Sequence, residues 1–569
     1  MLSAQPAREG LMQAYCANRP YFEAAYRAYP DIPRGWLEAV SFTNTHFCFL
    51  TDADYLCADD SASMPRAYGL MGLVADGKGC FRENLHTVSS LSGYPEEQIL
   101  NDRRIHVLAY AAAVHRLAET LSVRRDDPLA YAEVLRQLSE LPEASEKDAF
   151  PMDVMLYSVY GFLNDAARAE AFGFPKRHID MKGLLGEEWE RLSAKTLHVV
   201  RGGDYSGAVW KPAPDCNFSQ RSSAISGVVI HYTQGSYAGC IAWFLNCDSH
   251  VSAHYVLRSS DGQVTQMVRE ADKAWHARSA NDYTIGIEHE AYGDIASYFT
   301  KAMYDASTEL VRDICRRHPA INPHHVFYAD TLDDGTVLNS GLHDLGGPEA
   351  CVQIRGHQHY PSQSHTDPGP YWDWNYYYKR INLDTPVEVM EGVGGSIDGT
   401  GYGNDERRVV LLRAPEEATI TVDFQAFDVE KDHDFLWVYD GEDVFAPKIG
   451  RWNTQSPGKL TSSGNTLCIE FRSDCTGTRE GWRATWKANG VQPPSQGVLV
   501  NAKEGYILMD MGESRYYDAA VYDVNGRRAT PVVRFVRTKR IDIGRLASGT
   551  YVLRYGEAAR MNETVKFVK

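Results

Sequence analysis

Nowhere in the 569 residues does an apolar run reach the roughly 18 to 20 residues that a membrane-crossing helix needs. Basic side chains are also in short supply. With 58 lysines and arginines against 75 aspartates and glutamates, the formal charge is -17, and a nucleic-acid ligand is excluded because a phosphate backbone requires a basic face. Uncharged or mixed-charge polymers are not excluded. Cysteine is sparse: 11 residues are too few for a disulfide scaffold, and none stands in a CxxC pair, which argues against a four-cysteine zinc site. The close spacings of Cys48 with Cys57, Cys240 with Cys247 and Cys468 with Cys475 predict local disulfides instead. At least one thiol is left over, since eleven is odd. Internal repeats and low-complexity tracts are missing as well. The start, Met1-Leu2-Ser3-Ala4-Gln5-Pro6, lacks the basic and apolar stretches of a secretory signal. Either the protein is cytoplasmic or a signal peptide has been removed.

The length is too great for one core and predicts three to four domains. Residues 1–195 read as mainly helical, with amphipathic stretches such as Ile105 to Leu117. A Gly/Ser/Pro-containing connector follows around Gly202 to Ser226. Residues 196–388 read as mixed α/β: Gly227-Val228-Val229-Ile230-His231 as a buried strand, Tyr255 to Val268 as a hairpin turning at Asp261-Gly262, and Lys301 to His318 as a helix. Gly392-Val393-Gly394-Gly395-Ser396 reads as a linker to a β unit over 398–488. Gln492-Pro493-Pro494-Ser495-Gln496-Gly497 reads as a second linker, to a last all-β piece over 498–569.

A catalytic zinc takes three protein ligands and keeps one position open. His231 at the end of the buried strand, His357 in Ile354-Arg355-Gly356-His357 and Asp367 in His365-Thr366-Asp367-Pro368-Gly369-Pro370 form such a set. Along Thr284 to Glu290 the strand period puts Ile285 and Ile287 on one face and Glu288 with Glu290 on the other. Glu288 is thereby a candidate general base, and Glu290 a structural acid.

Val228-Val229-Ile230-His231-Tyr232-Thr233, Val251-Ser252-Ala253-His254-Tyr255, Ala274-Trp275-His276-Ala277, Ile285-Gly286-Ile287-Glu288, Gly356-His357 and Thr366-Asp367-Pro368-Gly369-Pro370 occur in order. Together they resemble the type 2 N-acetylmuramoyl-L-alanine amidases, relatives of the peptidoglycan recognition proteins. The resemblance implies zinc on His231, His357 and Asp367. It implies hydrolysis of the amide between N-acetylmuramic acid and L-alanine in bacterial peptidoglycan. One branch of that family has lysine where this chain has His365, which makes His365 a candidate donor to the oxyanion. Trp275, His276 and His254 are expected in the substrate groove, with a buried, hydrogen-bonded strand position as the other reading of His254. His250, His289 and His359 are expected to be structural.

Phe427-Asp428-Val429-Glu430, Asp434 to Gly441 and Phe471-Arg472-Ser473-Asp474 resemble a CUB domain, an antiparallel β-sandwich, although its usual four-cysteine pattern is not reproduced. Calcium-binding members would place Ca²⁺ on Glu430, Asp434 and Asp474; acids on a solvated loop are the other reading. Val521 to Arg527, Ile541-Asp542-Ile543 and Leu546 to Leu553 resemble the C-terminal sorting domain of type IX secretion in the Bacteroidetes. That resemblance implies passage through the periplasm to a secreted or outer-membrane-surface location, with the secretion machinery as partner. Trp36 to Thr45 and Arg66-Ala67-Tyr68-Gly69-Leu70-Met71-Gly72-Leu73 resemble lysozyme-like lytic transglycosylases, with Asn44 standing where those enzymes have their catalytic acid. An amide cannot protonate a glycosidic oxygen. Glu38, six residues earlier and displaced by about 240° around the helix, is a poor substitute. Two rival functions remain open, a binding-only peptidoglycan protein and a glycan-cleaving hydrolase run by the N-terminal unit.

Overall fold

The helical region forms because its apolar residues surround a few long helices on every side. In the computed structural model α1 spans Ala4–Ala28, α2 Trp36–Thr45, α3 Arg103–Thr120 and α4 Phe150–Asn164. The Asp102 side chain starts α3 by accepting the Arg104 and Ile105 N–H groups at 2.8 and 3.0 Å. Most of α3 is then buried, from His106 to Ala118, so it runs through the centre with α1 packed on it, while α2 packs on α4. The described residues are 4–55, 63–76, 78, 80–124, 127–142, 149–193, 203–293, 295–327, 351–360, 365–431, 433–490, 497–513, 515–558 and 560–569. Among them no helix is long and apolar enough to cross a membrane.

The α/β region is built on six strands: β1 Ala208–Trp210, β2 Gly227–Tyr232, β3 Tyr255–Leu257, β4 Val264–Gln266, β5 Thr284–His289 and β6 Ile354–Gly356. Their order in the sheet is β6-β2-β5-β3-β4-β1. The four strands from β6 to β3 run parallel, and the β3–β4 pair is the expected hairpin, turning at Gly262 with φ +76°. The expected connector around Gly202 to Ser226 contains β1, which pairs with β4, so part of it belongs to the sheet. Two further helices cover the sheet's surroundings, α5 Tyr237–Leu245 and α6 Lys301–Arg317, the latter capped by Thr300.

No core boundary accompanies the expected division between helical and α/β units; residues 195 and 196 themselves lie outside the described residues. One cluster of buried apolar side chains runs from Phe22 and Trp36 through Leu156 to Ile241, Trp243 and Val256. The cause is α5, whose residues Tyr237 to Phe244 are all buried. A helix apolar on every side needs a partner on each. It lies against β3 on one side and α4 on the other. Residues Met1–Ile381 accordingly form one compact unit and Asn382–Lys569 a second.

In the second unit a five-stranded and a four-stranded sheet enclose a core of Val410, Leu412, Ile420, Leu436, Ile469 and Trp482. A smaller three-stranded and four-stranded pair follows around Ile507, Ala519, Val521 and Leu553. The glycine-rich run at 392–396 is not a linker. Gly394–Thr400 is a strand paired with Gly481–Lys487. Glycine is required there because tryptophan rings cover the strand: a Cβ at Gly399 would lie 2.4 Å from Trp482, and one at Gly395 3.0 Å from Trp486. Of the second linker, 492–497, residues 492–496 lie outside the described residues, and Gly497 begins the strand Gly497–Asn501.

The three local disulfides do not form. Cys216 pairs with Cys247 across 31 residues, and Cys351 and Cys475 are also disulfide-bonded. Cys48, Cys240 and Cys468 are in no disulfide, and Cys57 lies outside the described residues. Cys240 is buried in α5 within the core, and Cys468 is buried in mid-strand on the face that also carries Glu470 and Arg472, away from the core residues Leu467 and Ile469.

Candidate metal centre

His231 and Glu288 face each other in register on the parallel strands β2 and β5, so both side chains leave the same face of the sheet. His357 follows directly after β6, and Asp367 arrives on the loop beyond it. His231 Nδ1 lies 2.7 Å from Asp367 Oδ2, and His357 Nδ1 lies 3.3 Å from Asp367 Oδ1. One ligand atom from each of the three residues falls within 4.8 Å of the other two. Gly356 permits this approach: a Cβ there would meet Pro368 at 2.4 Å, so any other residue would push the Asp367 loop away from His357.

The protonation states fit metal ligation. Burial lowers His231 to about 4, despite the Asp367 carboxylate beside it. Burial alone would raise Asp367, but His357 and the hydrogen bonds from both imidazoles outweigh it and hold the carboxyl well below its ordinary range. Neutral imidazole and ionised carboxylate are the forms that bind a divalent cation. His357 Nε2 is buried without a hydrogen-bond partner among the described residues. Two imidazoles and a carboxylate, all buried, suit Zn²⁺.

Around this group lies a cavity of about 360 Å³. Glu288 lines it with a buried Oε2 that has no hydrogen-bond partner among the described residues. Burial first, and the Asp367 charge second, raise its carboxyl well above the usual range. His365 is 30% exposed, stacks on His357 with ring centres 4.4 Å apart, and places Nδ1 4.0 Å from Asp367 Oδ1. Trp275 and His276 also line the cavity. His276 Nδ1 is 3.0 Å from His231 Nε2, and Gly286 makes room for its ring, since a Cβ there would lie 2.6 Å away.

His254 does not join them as a groove residue. It is fully buried: Nδ1 accepts the Gly286 N–H at 3.0 Å, and Nε2 sits 3.2 Å from Asp272 O. It sits in the bend just before β3, where these backbone partners and the Arg221 guanidinium, 3.0 Å from Nε2, enclose its ring. Arg221 completes the scaffold by donating to five backbone carbonyls, those of Glu270, Asp272, Asn281, Asp282 and Thr284. Glu290 is structural, accepting the Tyr237 and Ser259 N–H groups at 2.9 and 2.8 Å. His289 and His359 are structural as well. His250, expected to be structural, lines the cavity, as do Arg278 and four residues of the helical region, Tyr55, Ser63, Met64 and Arg66. No amidase motif flagged these, because only the fold brings them to the site.

Residues 221–370 match the N-acetylmuramoyl-L-alanine amidase family. The chain is 40% identical over 180 residues to N-acetylmuramoyl-L-alanine amidase A of Achromobacter lyticus, covering 32% of this chain and 96% of that protein. The chain belongs to the N-acetylmuramoyl-L-alanine amidase family. Membership supports amidase activity on peptidoglycan, and the candidate metal centre lies inside the matched residues. The hydrolase AmiA of Staphylococcus aureus, solved with its ligand, is similar at 14% identity and a TM-score of 0.22, over 32% of this chain and 83% of that one. Residues 391–486 match the CUB domain. They are similar to the Cubilin homolog of Drosophila melanogaster, 35% identical over 109 residues, which is 18% of this chain and 3% of that protein.

The CUB region carries its own acid cluster: ligand oxygens of Glu430, Asp434 and Asp474 lie within 4.8 Å of one another. Tyr402 donates to Asp434 Oδ2 at 2.5 Å, and Glu430 Oε2 is buried without a hydrogen-bond partner among the described residues. In the helical region, Asn44 Nδ2 donates to Met71 O at 2.8 Å, and its Oδ1 is buried with no partner among the described residues. Glu38 is buried at 6% exposure against Tyr26, whose hydroxyl donates to it at 2.5 Å.

Proposed function

We propose that the chain is a secreted zinc amidase that hydrolyses the bond between N-acetylmuramic acid and L-alanine in peptidoglycan. The observation that carries this reading is the meeting of His231, His357 and Asp367 in one cavity with the unpartnered carboxyl oxygen of Glu288. Zinc held by those three residues would polarise the scissile carbonyl and acidify the attacking water.

Glu288 takes the proton of that water at Oε2 and returns it to the leaving amine of L-alanine. Its environment, dry and beside Asp367, raises its basicity toward that of a general base working near neutrality. His365, partly exposed at the cavity, donates a hydrogen bond to the carbonyl oxygen as negative charge develops there. Trp275 and His276 form the groove beside it.

The other regions extend this reading. Glu430, Asp434 and Asp474 offer hard oxygen ligands of the kind Ca²⁺ takes. Residues 498–569 act as a type IX secretion sorting domain, and the Cys216–Cys247 disulfide suits the oxidising side of a membrane. Residues 1–195 are a lysozyme-like domain that cleaves no glycan, because Asn44 lacks a proton to give.

Incubating the purified chain with sacculi and analysing the products by mass spectrometry tests the reading. Stem peptides with a free L-alanine amine are the expected product. Anhydro-sugar fragments, or no soluble product, would defeat it. His231→Ala should lose both hydrolysis and bound zinc, the latter read by elemental analysis.

A further inference from the structure

The His276 ring is held in place from several directions. The residue follows the short strand Asp272–Ala274, which pairs with Phe218–Gln220 in a two-stranded sheet of its own. Asn281 fastens the turn: its Oδ1 accepts the His276 and Ala277 N–H groups at 3.0 and 2.5 Å. One face of the ring lies on Gly286 of β5, where a Cβ would come within 2.6 Å of Cγ and Nδ1. With backbone and ring face fixed, the two ring nitrogens reach different partners. Nδ1 lies 3.0 Å from His231 Nε2, and Nε2 lies 3.5 Å from Thr284 Oγ1.

The far end of this row sets its direction. Thr284, fully buried at the start of β5, donates its hydroxyl proton to the Ala280 carbonyl at 2.7 Å. A carbonyl oxygen only accepts. With its proton so committed, Thr284 Oγ1 turns a lone pair to His276 Nε2, which donates. A neutral imidazole carries one proton, so His276 Nδ1 is bare and accepts from His231 Nε2. His231 then keeps its own lone pair at Nδ1, the nitrogen 2.7 Å from Asp367 Oδ2. That is the tautomer a metal needs at Nδ1. Asp367 by itself favours the other one, because its carboxylate draws a proton onto the nitrogen beside it.

We propose that His276 is a positioning residue of the metal centre: it accepts the His231 Nε2 proton, holds His231 with Nδ1 bare, and so strengthens zinc binding. The proposal rests on the zinc-amidase reading given above and adds to the place of His276 on the groove wall. A ligand imidazole whose outer N–H is already hydrogen-bonded has its tautomer and ring orientation fixed before metal arrives, and its ligating nitrogen is the more basic for it. Gly286 serves the same end, since any side chain there would displace the ring that takes the proton.

The test compares two variants of the full chain. His276→Phe keeps a flat ring over Gly286 but offers no acceptor. His276→Asn carries an amide oxygen one bond from Cγ, where Nδ1 stands in histidine, and can accept the same proton. Zinc affinity is measured by competition with a chromogenic chelator, and the unfolding midpoint by urea titration of the zinc-free protein. His276→Phe should weaken zinc binding by about 10- to 100-fold with the zinc-free midpoint unchanged, and His276→Asn should recover part of the loss. Wild-type zinc affinity in His276→Phe, whatever its KM on muramoyl peptides, would overturn the proposal and leave His276 a groove residue alone. Equal losses in the two variants, or a loss that tracks a fall in the zinc-free midpoint, would overturn it as well, because packing would then be the cause. A wild type that binds no zinc would remove the metal reading itself, and this proposal with it.

Discussion

Glu288 and Glu38 are the same residue type in similar dryness, and the contrast between them separates catalytic position from catalytic potential. Both carboxyls are pushed up by burial, Glu38 to about 7 and Glu288 well above its ordinary value. By protonation alone, Glu38 resembles a general acid. Its oxygen, however, is spent on Tyr26, whose hydroxyl in turn accepts the Gly35 and Leu37 N–H groups at 2.9 and 3.2 Å. Glu288 instead leaves Oε2 unpartnered in a cavity beside three metal-ligand candidates. A perturbed carboxyl does chemistry only where a substrate can reach it. Asn44 adds a third case: an unpartnered oxygen with neither a proton to give nor an opening onto the cavity.

The comparison breaks first at Glu288. Glu288→Gln should retain zinc by elemental analysis and lose roughly 10²- to 10⁴-fold in turnover; near-normal turnover would place it with Glu38 as a structural acid. The Glu38 side is sharpened by pH. Its folded pKa is raised from the ordinary 4.5 to about 7, so its stabilisation is complete below about 4.5 and is lost as pH rises through about 7. Between those limits the loss amounts to roughly 3 kcal/mol. Glu38→Gln should therefore flatten the fall of the unfolding midpoint across that window in urea titrations, with amidase turnover unaltered. The smallest effect belongs to Asn44. Asn44→Ala forfeits the bond to Met71 O but also removes a buried unpartnered oxygen, so stability should change by about 1 kcal/mol or less, and peptide release from sacculi should stay at the wild-type rate.

Much of the candidate metal centre could be read from the sequence, because its residues sit in ordered short motifs: His231 at a strand end, Glu288 on an alternating strand, Asp367 before a Pro-Gly-Pro turn. The same periodicity gave the β3–β4 hairpin and α6. The failures have a common cause, which is that partners distant in sequence decided the outcome. Gly394 and Gly395 read as a linker because the tryptophans that cover them lie some ninety residues on. Cys247 turned from its neighbour Cys240 to Cys216 because Cys240 belongs to a helix buried on all sides. Arg66, Met64 and Tyr55 carry no amidase motif, and only the packing of α5 against α4 brings their region to the cavity.

That packing also decides what can be exchanged between proteins. A chimera joined near residue 195 would cut through a continuous interior, stranding Phe81 and Trp243, whose rings lie 6.1 Å apart, on opposite sides of a foreign junction. The natural cassette for grafting or recombination is instead Met1–Ile381: the catalytic strands travel with their helical companion, or leave an apolar flank in water.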